Sequence, residues 1–301
     1  MKTRKIVRFL ITVVFIFAFP LCTTYASYNS GKSNTAKINS THFTLKHYYY
    51  NQLNDIEKAI YNNLISSKEQ FLKGEEIIFS INKVSKNIKL DIKYYHRLVK
   101  RSIIAFTYDN PEEAIWFNNY TRDYFRSEDY VYMILKPKNP SPSNLNSGNI
   151  RVAILNFETI VSNFVNTLSG TDTQKLQQIH DWLVARSTYD NTLTFPDTQT
   201  AYGAIINRRS ICSGFAYAYK YIADIAGLDV LYVTGKFYNE QTNTFASHAW
   251  NIAFVDGQYL LVDVTFDVEL KKTSPQEFLF NSISNNNHHI DSYYFDYSAF
   301  K

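Results

Sequence analysis

The stretch FASHAWNIAFV, residues 245–255, is followed by Asp256-Gly257 and then by QYLLVDVTF, residues 258–266. Alternation puts His248, Trp250, Ile252 and Phe254 on one face of a strand and Ala249, Asn251, Ala253 and Val255 on the other. Asp-Gly between two apolar runs is a strong signal for a two-residue hairpin. The spacing therefore predicts an antiparallel pair with Val255 opposite Gln258. The same register sets Trp250 opposite Asp263 and His248 opposite Thr265. Asp263 then shares the face of His248, one diagonal away, at about 7–8 Å between backbones. An acid inside Leu260-Leu261-Val262-Asp263-Val264 is costly to bury unless it is paired, and His248 is the partner within reach.

Upstream, Ile211-Cys212-Ser213-Gly214-Phe215 opens a segment in which Ala218, Tyr219, Ile222, Ile225 and Ala226 recur at helical spacing, with Gly227 as the stop. Cys212 falls in the first turn of that helix. Unpaired amides and the helix dipole there favour a thiolate, and the same amides suit an oxyanion beside the sulfur. The chain has two cysteines, and the other, Cys22, lies in a leader. A lone free thiol is also compatible with inert packing. The surroundings of Cys212 favour a nucleophile, with His248 as base and Asp263 as its orienter.

The leader is residues 1–26. It combines a basic start, the apolar run Phe9–Leu21 and the small-residue site Thr24-Tyr25-Ala26, which predict a cleaved signal peptide and a secreted or cell-surface protein. The apolar run is short for a bilayer span, and no other stretch is apolar enough for one. Without Lys2, Arg4, Lys5 and Arg8 the Lys and Arg count falls from 31 to 27, equal to the 27 Asp and Glu. A neutral chain has no electrostatic footprint for nucleic acid. Residues 27–44 are polar and lack periodicity, as in a flexible tether. Residues 45–149 are expected to form an N-terminal accessory region: helical spacing over 45–72 and 90–108, and short strands at 76–84 and 130–135. The Pro-rich run 137–144 separates it from residues 150–301. Helices are expected at 150–168 and, after a Thr171-Asp172 cap, at 173–187, with His180 as a hydrogen-bonded core histidine.

The segments Thr200-Ala201-Tyr202-Gly203-Ala204, Ile211-Cys212-Ser213-Gly214-Phe215-Ala216, His248-Ala249-Trp250-Asn251 and Val262-Asp263-Val264-Thr265-Phe266-Asp267 resemble the transglutaminase-like superfamily of papain-type thiol enzymes. Ile179-His180-Asp181-Trp182-Leu183 and Tyr189-Asp190 resemble its exported Gram-positive members. The likeness covers about residues 170–270. It implies an α+β fold with a papain-like or transglutaminase-like core, in which a cysteine-bearing helix packs on an antiparallel sheet. It implies Cys212, His248 and Asp263 as catalytic residues, with Ser213, Tyr202 and Trp250 near the oxyanion or substrate. It also implies acyl transfer from a peptide or glutamine carboxamide to an amine or to water, on a protein or peptidoglycan-peptide substrate.

Two other readings stand beside this one. Cys212-Ser213-Gly214-Phe215 also resembles cell-wall peptidases of the NlpC/P60 type. Tyr48-Tyr49-Tyr50 and Tyr293-Tyr294-Phe295 fit the ligand platform of a non-catalytic surface module, or else simple core packing. Motifs for nucleotides, redox dithiols or zinc peptidases are absent, so no cofactor and no metal is expected. His288-His289 with Asp291 sits in an Asn-rich stretch that reads as loop.

Overall fold

The computed structural model describes residues 45–82, 92–117, 120–126, 130–137, 147–192, 197–240, 242–270 and 287–300. The leader, the tether and most of the Pro-rich run lie outside them. Residues Phe43–Lys301 form one compact unit.

The first expected helix is three: α1 (Tyr48–Asn51), α2 (Asp55–Ser66) and α3 (Lys68–Leu72). The division follows local chemistry. Asn54 accepts from the Glu57 amide while the Glu57 carboxylate accepts from the Asn54 amide, a capping box that starts α2 afresh. Strand β1 (Ile77–Asn82) pairs with β3 (Tyr130–Pro137), and β3 also pairs with β2 (Tyr120–Arg126), all antiparallel. The sequence reading did not include β2. Its polar residues Thr121, Arg122 and Asp123 lack an apolar face, which suits an edge strand. Between β1 and β2 runs α4 (Ile92–Asp109).

The second half begins with α5 (Ser147–Val165) and α6 (Asp172–Arg186), the latter capped by Thr171. A short parallel pair, β4 (Thr188–Tyr189) and β5 (Arg209–Ser210), brackets α7 (Ala201–Ile205). Then come α8 (Cys212–Ile225), β6 (Asp229–Asn239), β7 (Thr244–Val255), β8 (Gln258–Val262), α9 (Val264–Leu270) and β9 (His288–Ile290). The main sheet has the order β8-β7-β6-β9, antiparallel throughout. The fold is thus α+β, a cysteine-bearing helix on an antiparallel sheet.

The hairpin has the expected register, with Val255 opposite Gln258 and Asn251 opposite Val262. Asp256 and Gly257 both have positive φ, 52° and 77°, as a type I′ turn requires. One expectation fails here. Strand β8 stops at Val262, so neither the Trp250–Asp263 nor the His248–Thr265 pair forms. The reason is local: the Asp263 carboxylate Oδ1 accepts from the Thr265 amide at 3.0 Å, an N-cap that turns the chain into α9.

The main sheet divides the core. On one face Val230, Tyr232, Ala249, Ala253 and Val255 pack with α5, α6 and α8. On the other, Leu231, Val233, Trp250, Ile252 and Leu261 join the core of residues 45–150 and the segment 295–300. Tyr48, Tyr49 and Phe295 of the aromatic runs belong to this second core, Tyr50 and Tyr294 pack against it, and Tyr293 is exposed. Tyr49 is fully buried and its ring lies 4.7 Å from that of Phe295, so the runs pack on each other. Every residue of α8 from Gly214 to Ala223 is buried. Asn251, buried in β7, ties α8 to the sheet by donating to the carbonyls of Ala216 (3.0 Å) and Leu231 (3.2 Å). No described helix is long and apolar enough to cross a membrane.

Replacing Asn251 by Ala leaves two buried carbonyls short of a donor, at a cost of about 2 kcal/mol. The expected outcome is a Tm lower by about 4–8 °C, with an unchanged far-UV circular dichroism spectrum; an unaltered Tm contradicts the assignment.

Candidate functional site

Cys212 is the first residue of α8, following Ile211 in extended conformation. Three contacts fix this end of the helix. Ser210 Oγ donates to the Thr198 carbonyl at 2.6 Å, and the Ile211 amide donates to the same oxygen at 3.0 Å. The third is the close approach at Gly214. A Cβ there would fall 2.0 Å from Ser210 Oγ and 2.7 Å from the carbonyl oxygens of Thr198 and Thr200. Only glycine lets the first turn of α8 sit against the 198–200 segment, and that accounts for the Cys-Ser-Gly order.

Along β7, Thr244 to Ser247 are exposed and Ala249 to Ala253 are buried, with His248 at the boundary. Its Nε2 lies 2.6 Å from Asp263 Oδ2. Burial alone would lower the His248 pKa. The Asp263 carboxylate, with a smaller contribution from the Cys212 side chain, overrides burial and pushes it up to about 10. Burial would likewise raise Asp263, but the His248 charge and the hydrogen bonds from His248 and His288 hold it well below the usual carboxylate range. The shift favours the protonated imidazole, which is hydrogen-bonded to the Asp263 carboxylate.

The structure pairs His248 with Asp263, two of the three residues that the sequence singled out, and the Cys212 side chain acts on the charge of His248. Of the remaining expected residues, two carry unsatisfied polar atoms: Ser213 Oγ and Trp250 Nε1 are buried and have no hydrogen-bond partner among the described residues. The Trp250 ring stacks on His248 at 5.8 Å and 20°. Tyr202 lies on α7 with its ring 6.1 Å from that of Phe157. His180 is a core histidine as expected, fully buried, with Nε2 2.8 Å from Asp267 Oδ2 and Nδ1 3.0 Å from Asp181 Oδ1.

Two neighbours were not assigned to the site from the sequence. Tyr189, on β4, has its pKa pushed up to about 12, first by burial and then by the Cys212 sulfur. His288 lies in β9 rather than in a loop, and its Nε2 is 2.9 Å from Asp263 Oδ2. The run of asparagines before it hid the strand. The available signal was that His288 and Ile290 alternate with His289 in a short strand pattern. The facing atoms of His248, Asp263 and His288 lie within 4.8 Å of one another, the spacing of a potential metal group. Here both imidazoles are hydrogen-bonded to the carboxylate oxygen that a metal would require.

Residues 161–264 match the family model of the transglutaminase-like superfamily. This part of the chain is a transglutaminase-like domain. Its boundaries enclose Cys212, His248 and Asp263. Solved structures similar to the chain include a candidate cysteine protease from Cytophaga hutchinsonii, at 15% identity over 54% of this chain and 65% of that one, TM-score 0.32. They also include a TGase, at 12% identity over 57% and 47%, TM-score 0.34. A third is the periplasmic domain of TgpA from Pseudomonas aeruginosa, at 13% identity over 50% and 59%, TM-score 0.31. The chain spans less than two thirds of the length of each. No curated protein matches it.

The His248–Asp263 pair sets a pH dependence. The folded imidazole titrates near 10 against an ordinary value of 6.5, so its contribution to stability is complete below 6.5 and is lost as pH rises through 10. The carboxylate is depressed from 3.8, so its contribution is complete above 3.8 and is lost as pH falls further. In urea unfolding, the advantage of the wild type over His248→Gln should be largest between those limits and shrink from pH 6.5 to 10. A constant difference over that range contradicts the pairing.

Proposed function

We propose that the protein is an exported cysteine acyltransferase or hydrolase of the transglutaminase type, acting on peptide or glutamine carboxamides of protein or peptidoglycan-peptide substrates. The reading is supported by the His248–Asp263 pair, 2.6 Å apart with the carboxylate buried, and by Cys212, the only cysteine outside the leader, lying close enough to act on the His248 charge. With Nε2 held by Asp263, Nδ1 serves the sulfur. The Cys212 thiolate attacks the carboxamide carbon, and a C–S bond forms as the carbonyl pair moves to oxygen. That oxyanion lies beside the first-turn amides of α8, with the Ser213 hydroxyl as a further donor. His248 passes its proton to the departing nitrogen as the C–N bond breaks, and an S-acyl enzyme remains. An incoming amine or water then gives a proton to His248 and takes the acyl group, and the C–S bond breaks.

Export is supported by the leader sequence. An aromatic binding platform is less favoured, because of its six residues Tyr48, Tyr49 and Phe295 are packed in the core, Tyr50 and Tyr294 are half-buried, and Tyr293 alone is exposed.

The test is mass spectrometry after incubation with a glutamine-containing peptide, with and without a labelled amine. A mass change equal to amine incorporation identifies transfer, and a one-dalton gain identifies deamidation. Cys212→Ala should abolish both, and His248→Ala should reduce them by about 10²–10⁴-fold. Iodoacetamide should label Cys212 faster than a model thiol near pH 7. Labelling at the model rate, with neither product formed, overturns the proposal.

A further inference from the structure

We infer that His288 is a positioning residue: it holds the Asp263 carboxylate in the orientation that aims His248, and helices α1, α2 and α4 hold His288 in place. The inference rests on the catalytic reading above and deepens it.

The carboxylate of Asp263 is buried and receives three donors. Oδ1 accepts from the Thr265 amide at 3.0 Å. Oδ2 accepts from His248 Nε2 at 2.6 Å and from His288 Nε2 at 2.9 Å. Thr265 fixes Oδ1 to the start of α9. His248 and His288 share Oδ2, so His288 holds that oxygen independently of the ring it has to aim. The His288 ring is itself confined. Its centroid is 4.8 Å from that of Trp250 and 5.1 Å from that of Phe237, both edge-on.

His288 comes from β9, which has only three residues and pairs with the edge of β6. Gly235 permits the pairing, since a Cβ there would fall 2.0 Å from the His289 carbonyl oxygen. Three residue pairs hold a strand weakly. What secures it is the chain that follows. The Asp291 amide donates to the Thr234 carbonyl at 2.9 Å. Arg101 on α4 donates to the Tyr294 carbonyl at 2.8 Å and lies over the Phe295 ring, while pairing with Glu57 of α2. Tyr48 donates to the Asp296 carbonyl, and the Tyr49 ring packs on Phe295. The helices that precede the transglutaminase-like domain therefore clamp the segment that delivers an imidazole to its carboxylate.

The test compares His288→Phe, which keeps an aromatic ring but removes the donor, with His288→Gln, whose amide nitrogen can reach the same oxygen. Each is measured for kcat and KM on the glutamine peptide, for Tm, and for the downfield imidazole N–H resonance of His248. Loss of a hydrogen bond to a charged acceptor should lower kcat of His288→Phe by about 10- to 100-fold. KM should stay within a factor of about two, and the resonance should shift or broaden. His288→Gln should recover most of the rate and the wild-type resonance. Wild-type kcat and resonance in His288→Phe overturn the inference. So does a His288→Gln protein as slow as His288→Phe at equal Tm. If the wild type turns over no amide, the catalytic proposal fails, and the resonance alone then decides whether His288 orients the pair.

Discussion

One carboxylate organises this protein. Asp263 is charged and out of water, a state that costs several kcal/mol unless hydrogen bonds and an opposite charge replace the lost hydration. Its partners come from three separate elements: the start of α9, the middle of β7 and the short strand β9. Taking any of them away leaves a buried charge short of a donor, so the three elements have to be present together. The position of His248, and with it the environment of the Cys212 sulfur, follows from that requirement.

The sulfur is fixed from the other direction by backbone sterics. Gly214 and Ser210 press the head of α8 onto the 198–200 segment, and Asn251 anchors its middle to two carbonyls. A thiol at the head of a helix buried from Gly214 to Ala223 has little room to drift. An imidazole on a strand and a sulfur on a helix are thus placed by two unrelated constraints, electrostatic for one and steric for the other.

Much of this was legible in the chain. Asp256-Gly257 set the hairpin register, Thr171 and Gly227 marked helix ends, and the charged residue inside Leu260–Val264 announced a partner. What failed did so for identifiable reasons. Strand β8 ends early because the same carboxylate that binds His248 also caps a helix, and a period-2 pattern does not register a cap. Strand β2 escaped notice because it carries polar residues at an edge. His288 was hidden because three residues among asparagines carry almost no periodic signal. Its place is set by residues far away in sequence, and so is the role of the region before residue 150.

The clasp between Tyr48 and Asp296 joins groups 248 positions apart. Closing so wide a loop is slow, and its reward comes only when both partners exist. On a ribosome, the helix at Tyr48 is made early and must wait for almost the whole of the described chain before it meets the segment it grips. Tyr49 and Tyr50 can meet Tyr108 and Tyr61 early, but Phe295 and Tyr297, which cover Tyr48 and Tyr49, come last, so part of that aromatic surface stays open until synthesis is nearly complete.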